Sequence, residues 1–206
     1  MVRRGSRRTW FLSMVSTSAT LLEAIGADPG SPRWTEFVAR YRPVMEAFLS
    51  DFYPSVSAED VMQETLIVLA RKLPDYHYDP DVKGRFKSWL LGILKNKARE
   101  ALRRQGKIAK TDGAAKEFAD VSQKDRSQDG DDADWRIAAY EVALQQLLAN
   151  PNRTERTRQI FIRTALKGED PVKVAALFGT TRNNVDQIKN RLTAELRELA
   201  TRLADE

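Results

Sequence analysis

One short stretch, Asp170 to Arg191, constrains this 206-residue chain more than any other. It predicts a helix, a tight turn and a second helix. Asp170 suits an N-cap and Pro171 the first helical position. Val174, Ala175, Leu177 and Phe178 give the first helix an apolar face. Gly179 supplies the turn, where a residue with a Cβ would be strained. Val185, Ile188 and Leu192 form the inward stripe of the second helix. Ala175, Gly179, Val185 and Ile188 fall at the spacings that let two helices cross closely, as a DNA-binding helix-turn-helix requires. The outward face carries Thr181, Arg182, Asn183, Asn184, Gln187, Lys189, Asn190 and Arg191, side chains that hydrogen-bond base edges and phosphates. On this segment alone an ordinary helical hairpin with a polar solvent face stays open beside DNA binding.

Apolar residues make up 42% of the chain, enough to form a core. The net charge of +5 and a pI near 9.5 lean toward an anionic partner without identifying it. There is no cysteine, which excludes disulfides and thiolate metal sites and suits a reducing cytoplasm. No run of about 18 apolar residues predicts a membrane span. Ser6 to Leu12 faintly resembles a twin-arginine export signal. The apolar stretch behind it is broken by Ser13, Ser16, Thr17, Ser18 and Thr20, so residues 1–20 read as a basic disordered tail. A start at Met14 would leave residues 1–13 outside the functional protein.

The pattern is all-α, with two small helical domains joined by a polar linker. Leu21 to Ala27 predicts a short helix ended by Asp28, Pro29 and Gly30. Ser31 and Pro32 open a second, with Trp34, Phe37, Val38, Tyr41, Val44, Met45 and Phe48 at helical spacing. Ser57 can cap a third, whose early Glu59 and Asp60 suit the helix dipole. It runs to Lys72 and stops at Pro74. A fourth covers Phe86 to about Gln105. From Lys83 to Lys110 there are ten Lys or Arg against one acid, Glu100. Residues 111–134 reverse this, with eight acids against three bases. The boundaries read from this shift are a first domain over 21–108, an acidic flexible linker over 109–133 and a second domain over 134–206. Trp135 to Ala149 is helical, and Arg153 to Leu166 leads into the helix-turn-helix, whose second helix continues to about Leu203.

The basic helix repeats the nucleic-acid argument independently. Lys95, Asn96, Arg99, Arg103 and Arg104 lie on neighbouring turns, while Leu90, Ile93, Leu94, Ala98 and Leu102 form the buried side. Phe86 and Trp89 sit where this helix leaves an aromatic loop. Aromatics beside cations suit a strand-opening surface, since an unstacked base needs a flat face. Each taken alone reads more simply as a core aromatic.

In combination these segments resemble the small extracytoplasmic-function (ECF) class of bacterial RNA polymerase sigma factors. Trp34 to Pro43 (WTEFVARYRP) resembles the opening helix of that family's first conserved domain. Ala58 to Ile67 (AEDVMQETLI) resembles its polymerase-binding helix. Gly84 to Ala98 (GRFKSWLLGILKNKA) resembles the segment that melts and reads the minus-ten promoter element. Thr154 to Phe161 (TERTRQIF) and the helix-turn-helix resemble the second conserved domain, which reads the minus-thirty-five element. The resemblance covers about residues 20 to 203. It departs from the family at Asn150 to Thr154, where Leu-Pro is usual, and at Asn183 to Gln187, so no target sequence carries over.

The resemblance implies core RNA polymerase and promoter DNA as partners, leaves room for an anti-sigma protein, and implies a cytoplasmic protein with no cofactor, metal or catalytic residue. Asp60, Gln63 and Glu64 would dock on the clamp helices of the largest polymerase subunit. Lys95, Asn96, Arg99 and Arg103 would face the minus-ten element, and the loop from Tyr76 to Arg85 would hold a flipped base. Arg182, Asn183, Asn184 and Gln187 would lie nearest the bases of the minus-thirty-five element, with Lys189 and Arg191 nearer phosphates. Two rivals remain. A stand-alone helix-turn-helix regulator would bind duplex DNA without polymerase. A nucleic-acid enzyme would need a nucleophile in a basic pocket or paired metal-binding carboxylates. Tyr140 and Ser88 are isolated, and the only histidine, His77, has no ligand spacing to Glu59, Asp60 or Glu64.

Overall fold

The computed structural model describes residues 17–28, 30–76, 85–106 and 128–205. Among them all regular structure is helical, in the order α1 (Thr17–Ala27), α2 (Arg33–Phe52), α3 (Ala58–Lys72), α4 (Arg85–Arg104), α5 (Gln128–Ala149), α6 (Glu155–Phe161), α7 (Pro171–Leu177) and α8 (Arg182–Asp205). A 3₁₀ turn over Leu73–Asp75 follows α3, and a π-helical stretch over Ile162–Leu166 follows α6. The chain divides into a first unit ending at Trp135 and a second spanning Arg136–Asp205. Of the tail read over residues 1–20, residues 1–16, which include the Met14 start, lie outside the described residues, whereas residues 17–20 are helical and form the start of α1; residues 109–127, most of the linker, also lie outside the described residues.

The first unit packs α2, α3 and α4 on one another, with α1 against α2 and the 3₁₀ turn. In α2 the buried residues are Phe37, Tyr41, Val44, Met45, Phe48 and Leu49, which recur on one face of a 3.6-residue period. In α3, Val61, Met62, Thr65 and Leu69 turn inward. Ser57 caps that helix by accepting from the Asp60 amide at 3.3 Å, as its sequence position predicts. The buried Thr65 hydroxyl donates to the Val61 carbonyl at 2.7 Å, so it leaves no unpaired polar group in the core. Phe86, Leu90, Leu91, Ile93, Leu94 and Ala98 complete the core from α4.

The polar stretch read as linker ends earlier than its composition predicts. Helix α5 begins at Gln128 rather than near Trp135. Two of its acids, Asp131 and Asp134, hydrogen-bond to Lys95 of α4, and Trp135 is buried against Tyr41. Contacts made dozens of residues away order a segment that has little to bury by itself.

The second unit has two clusters. Ala143, Leu147, Phe161, Leu192 and Leu196 form one, and Ile160, Val174, Ala175 and Val185 form the other. Ile188 packs against both. Adjacent residues Ile160 and Phe161 thus point into different clusters, which ties the α7–α8 pair to the rest of the unit.

Candidate nucleic-acid and partner interfaces

Local rules build the turn between α7 and α8. The Asp170 carboxylate accepts from the Val172 amide at 2.9 Å and Pro171 fills the first helical position. At the other end Gly179 has φ +56°, a left-handed conformation that glycine adopts without strain. Thr180 N–H donates to the Ala175 carbonyl at 2.9 Å and Gly179 N–H to the Ala176 carbonyl at 3.3 Å. That pair of bonds is a Schellman closure, which satisfies carbonyls the helix end would leave open. Thr181 then caps α8 by accepting from the Asn184 amide at 3.2 Å. The caps and the turn closure are therefore specified by residues within a few positions of one another.

The outward face of α8 is open at its start. The Arg182 side chain is 71% exposed, held loosely by Asp186 at 3.5 Å. Asn183, Gln187, Asn190 and Arg191 are exposed, whereas Asn184 and Lys189 are half-buried. Asn184 donates through Nδ2 to the Thr180 hydroxyl at 2.9 Å, so it braces the turn as well as facing outward. The exposed Thr181 is likewise a capping residue.

Two arginines that sequence reading passed over support this turn. Arg156 donates to the Phe178 carbonyl at 2.7 Å and the Gly179 carbonyl at 3.4 Å. Arg163 donates to Glu169 at 2.9 Å and 3.2 Å, across the loop that precedes Asp170. A cation at helical spacing looks alike whether it faces solvent or a carbonyl, so the sequence carried no signal for either role.

In the first unit α3 presents Asp60, Gln63, Ile67 and Arg71 to solvent along one face. Asp60 is exposed, and Gln63 donates to Glu59 at 3.3 Å. Arg42 of α2 joins the same edge, bonding Glu59 at 2.6 Å and Glu46 at 2.7 Å. Glu64 behaves differently from its two predicted companions. It is engaged by Arg104 of α4 at 2.6 Å and lies 3.4 Å from Lys97. The bond from Arg104 holds the Glu64 carboxyl below the ordinary carboxylate range, against the opposing effect of partial burial. Its carboxylate is thus committed to the α3–α4 contact.

The basic helix α4 separates its predicted residues in the same way. Phe86 is 5% exposed and packs in the core, with ring centroids 6.1 Å from Phe37 and 5.6 Å from Tyr41. Its ring offers no free face to a base, which corrects the expectation of a stacking surface there. Trp89 is half-buried and stacks on Tyr76 at 4.5 Å with planes 22° apart. Residues 77–84, most of the predicted flipped-base loop, lie outside the described residues. Arg99 is exposed and Arg103 half-buried. Asn96 is half-buried and its Oδ1 has no hydrogen-bond partner. Lys95 is not free: its Nζ donates to Asp131 at 2.5 Å and Asp134 at 2.7 Å, 5.7 Å from the centre of the Phe48 ring. Burial opposes the charge on Lys95, but the two carboxylates outweigh it and hold its pKa above the ordinary lysine value.

Among the described residues no group of three or more His, Asp or Glu side chains is placed to hold a metal ion. No helix among them is long and apolar enough to cross a membrane. Residues 37–108 match the protein family described as Sigma-70 region 2. No curated protein matches the chain. Among solved structures, that of CnrH in complex with the cytosolic domain of CnrY is similar, with 22% identity over 89% of this chain and 97% of that one, at a TM-score of 0.34.

Proposed function

We propose that this chain, whose residues 37–108 match Sigma-70 region 2, is a sigma factor of the ECF type that binds core RNA polymerase and directs it to promoters. The region 2 match is the observation that carries this reading. The geometry of the second unit supports the rest: a helix-turn-helix closed by local caps, with Arg182, Asn183 and Gln187 exposed at the start of α8.

The mechanism assigns binding roles and no chemistry, since phosphoryl transfer belongs to the polymerase. Asp60 and Gln63 meet a basic helical partner on the polymerase, where complementary charge fixes register and speeds encounter. Glu64 joins them only if it leaves Arg104. Arg99 and Arg103, with Lys95 and Asn96, face the backbone of the minus-ten element, and Trp89 with Tyr76 borders the place where the strand opens. The second unit lays α8 in the major groove of the minus-thirty-five element, Arg182, Asn183, Asn184 and Gln187 toward bases and Lys189, Asn190 and Arg191 toward phosphates, with Thr181 holding the helix start. Residues 109–127 are polar enough to span two separate DNA elements. The protein then works in the cytoplasm beside the polymerase, and an anti-sigma protein is a further partner.

A pull-down against purified bacterial core polymerase tests the reading. Wild type is expected to bind, and an Asp60→Arg, Gln63→Arg variant is expected to lose binding while keeping its fold. Capture of neither at low salt, with tight duplex-DNA binding by the chain alone, would instead support a stand-alone regulator.

A further inference from the structure

Asp131, Asp134 and Trp135 share one face of α5, at the i, i+3 and i+4 spacing. All three belong to the first unit, and all three are engaged there. Both carboxylates close on Lys95 Nζ, at 2.5 Å and 2.7 Å. The side chains of Lys95, Asp131 and Asp134 are 18%, 16% and 28% exposed, so the cluster is largely withdrawn from water. Trp135 is 1% exposed, its ring centroid 6.0 Å from that of Tyr41, and Tyr41 in turn packs against Phe37 and Phe86. An apolar anchor and a pair of acids thus bind side by side on the same surface.

That surface includes the start of the basic row. Lys95, Arg99 and Arg103 follow one another at i+4 steps on α4. Among the described residues, only Lys95 of the three is paired with acids. Two carboxylates around one ammonium present the oxygen-rich, negative environment that a backbone phosphate would present. We propose that the acidic start of α5 is a built-in competitor for nucleic acid: Asp131 and Asp134 hold the phosphate-binding seat at Lys95, and Trp135 pins them there, until DNA displaces them. The inference rests on the reading of Lys95 as a DNA contact. It assigns residues 131–135 a role that the linker composition alone did not suggest.

The arithmetic is that of a binding-competent state populated only part of the time. A latch closed for about nine-tenths of molecules lowers apparent affinity about tenfold. The probe is a fluorescein-labelled single-stranded dT oligonucleotide, because phosphate contacts are independent of sequence. Anisotropy at fixed low salt compares the full-length wild type, Asp131→Asn with Asp134→Asn, and that pair combined with Lys95→Gln. A charge control, Glu23→Gln with Asp51→Asn, removes two exposed acids elsewhere in the same unit.

The latch predicts about tenfold tighter binding for the Asp131, Asp134 pair than for the charge control, with the gain abolished by Lys95→Gln. An equal gain in the pair and the control overturns it as a general charge effect. No gain in the pair, with Lys95→Gln still weakening that variant, overturns the latch and leaves Lys95 as a DNA contact. Equal binding by the Asp131, Asp134 pair with and without Lys95→Gln overturns the contact and the latch together. Matching helical circular dichroism for all variants establishes that each comparison is between folded proteins.

Discussion

Arg153 donates through one terminal nitrogen to both carboxylate oxygens of Glu195, at 2.7 Å and 2.8 Å, while its other terminal nitrogen donates to the Leu147 carbonyl. One guanidinium thereby joins the end of α5, the loop before α6 and the middle of α8. The Arg153 side chain is only 11% exposed, so cutting it back strands a half-buried carboxylate and an open carbonyl. Arg153→Met is expected to destabilise the second unit by about 1–2 kcal/mol, below the figure for a fully buried pair because Glu195 is partly in water. Calorimetry should register a Tm lower by roughly 10 °C for a unit of this size. An unchanged transition would show that the pair contributes nothing net.

Glu64 links stability to pH. Its folded carboxyl is held below the ordinary value of 4.5, first by the hydrogen bond from Arg104. A group depressed in this way contributes stability that is full above its unfolded value and fades as pH falls toward the folded one. Glu100 shares the cluster and is lowered too, chiefly by its bond from Lys97. The urea midpoint of wild type should therefore fall as pH is lowered through and below the ordinary value of 4.5, and Glu64→Gln should flatten part of that drop. The effect is small, at most about 1 kcal/mol, because the pair is open to solvent. Parallel pH curves for the two proteins would remove Glu64 from the account.

Gly179 tests the turn by conformation alone. An added Cβ meets nothing within 4 Å, so the cost of Gly179→Ala comes from φ +56° and not from a clash. The expected loss is about 1 kcal/mol. Amide exchange in α7 and α8 should accelerate, while exchange in the first unit should not. Full retention of protection around Thr180 would mean that the backbone tolerates alanine there.

Arg182 separates binding from folding. It is exposed and its single acidic contact is an i, i+4 pair, worth a few tenths of a kcal/mol. Arg182→Ala should leave the Tm in place, weaken promoter binding by about 1–3 kcal/mol and relax base preference, if the guanidinium forks onto a base edge. Unchanged transcription from the cognate promoter would take Arg182 out of the recognition set.

What could be read in advance follows the range of the interaction. Ser57, Asp170, Pro171 and Gly179 act on neighbours within a few positions, and each does what its place predicts. The inward stripes of α2, α4 and α8 follow from period alone. Glu64 and Arg104 lie 40 residues apart, and Lys95 and Asp131 lie 36 apart. Nothing local distinguishes those side chains from solvated ones, so residues offered as partner-facing were found holding the unit together. Phe86 illustrates the same limit: an aromatic at the mouth of a basic helix reads equally well as a landing face or as core, and only Phe37 and Tyr41 decide it. The π-helical stretch over Ile162–Leu166 had no signature among ordinary helix formers.

Trp135 is the last residue of the first unit, and the sequence carries no tryptophan after it. Trp34, Trp89 and Trp135 all report on the same half of the molecule. In indole emission the second unit contributes nothing, so an unfolding curve followed by tryptophan describes the first unit and misses the helix-turn-helix. The helical circular dichroism signal covers both units, so its difference from the indole curve isolates the half proposed to read duplex DNA, without any mutation.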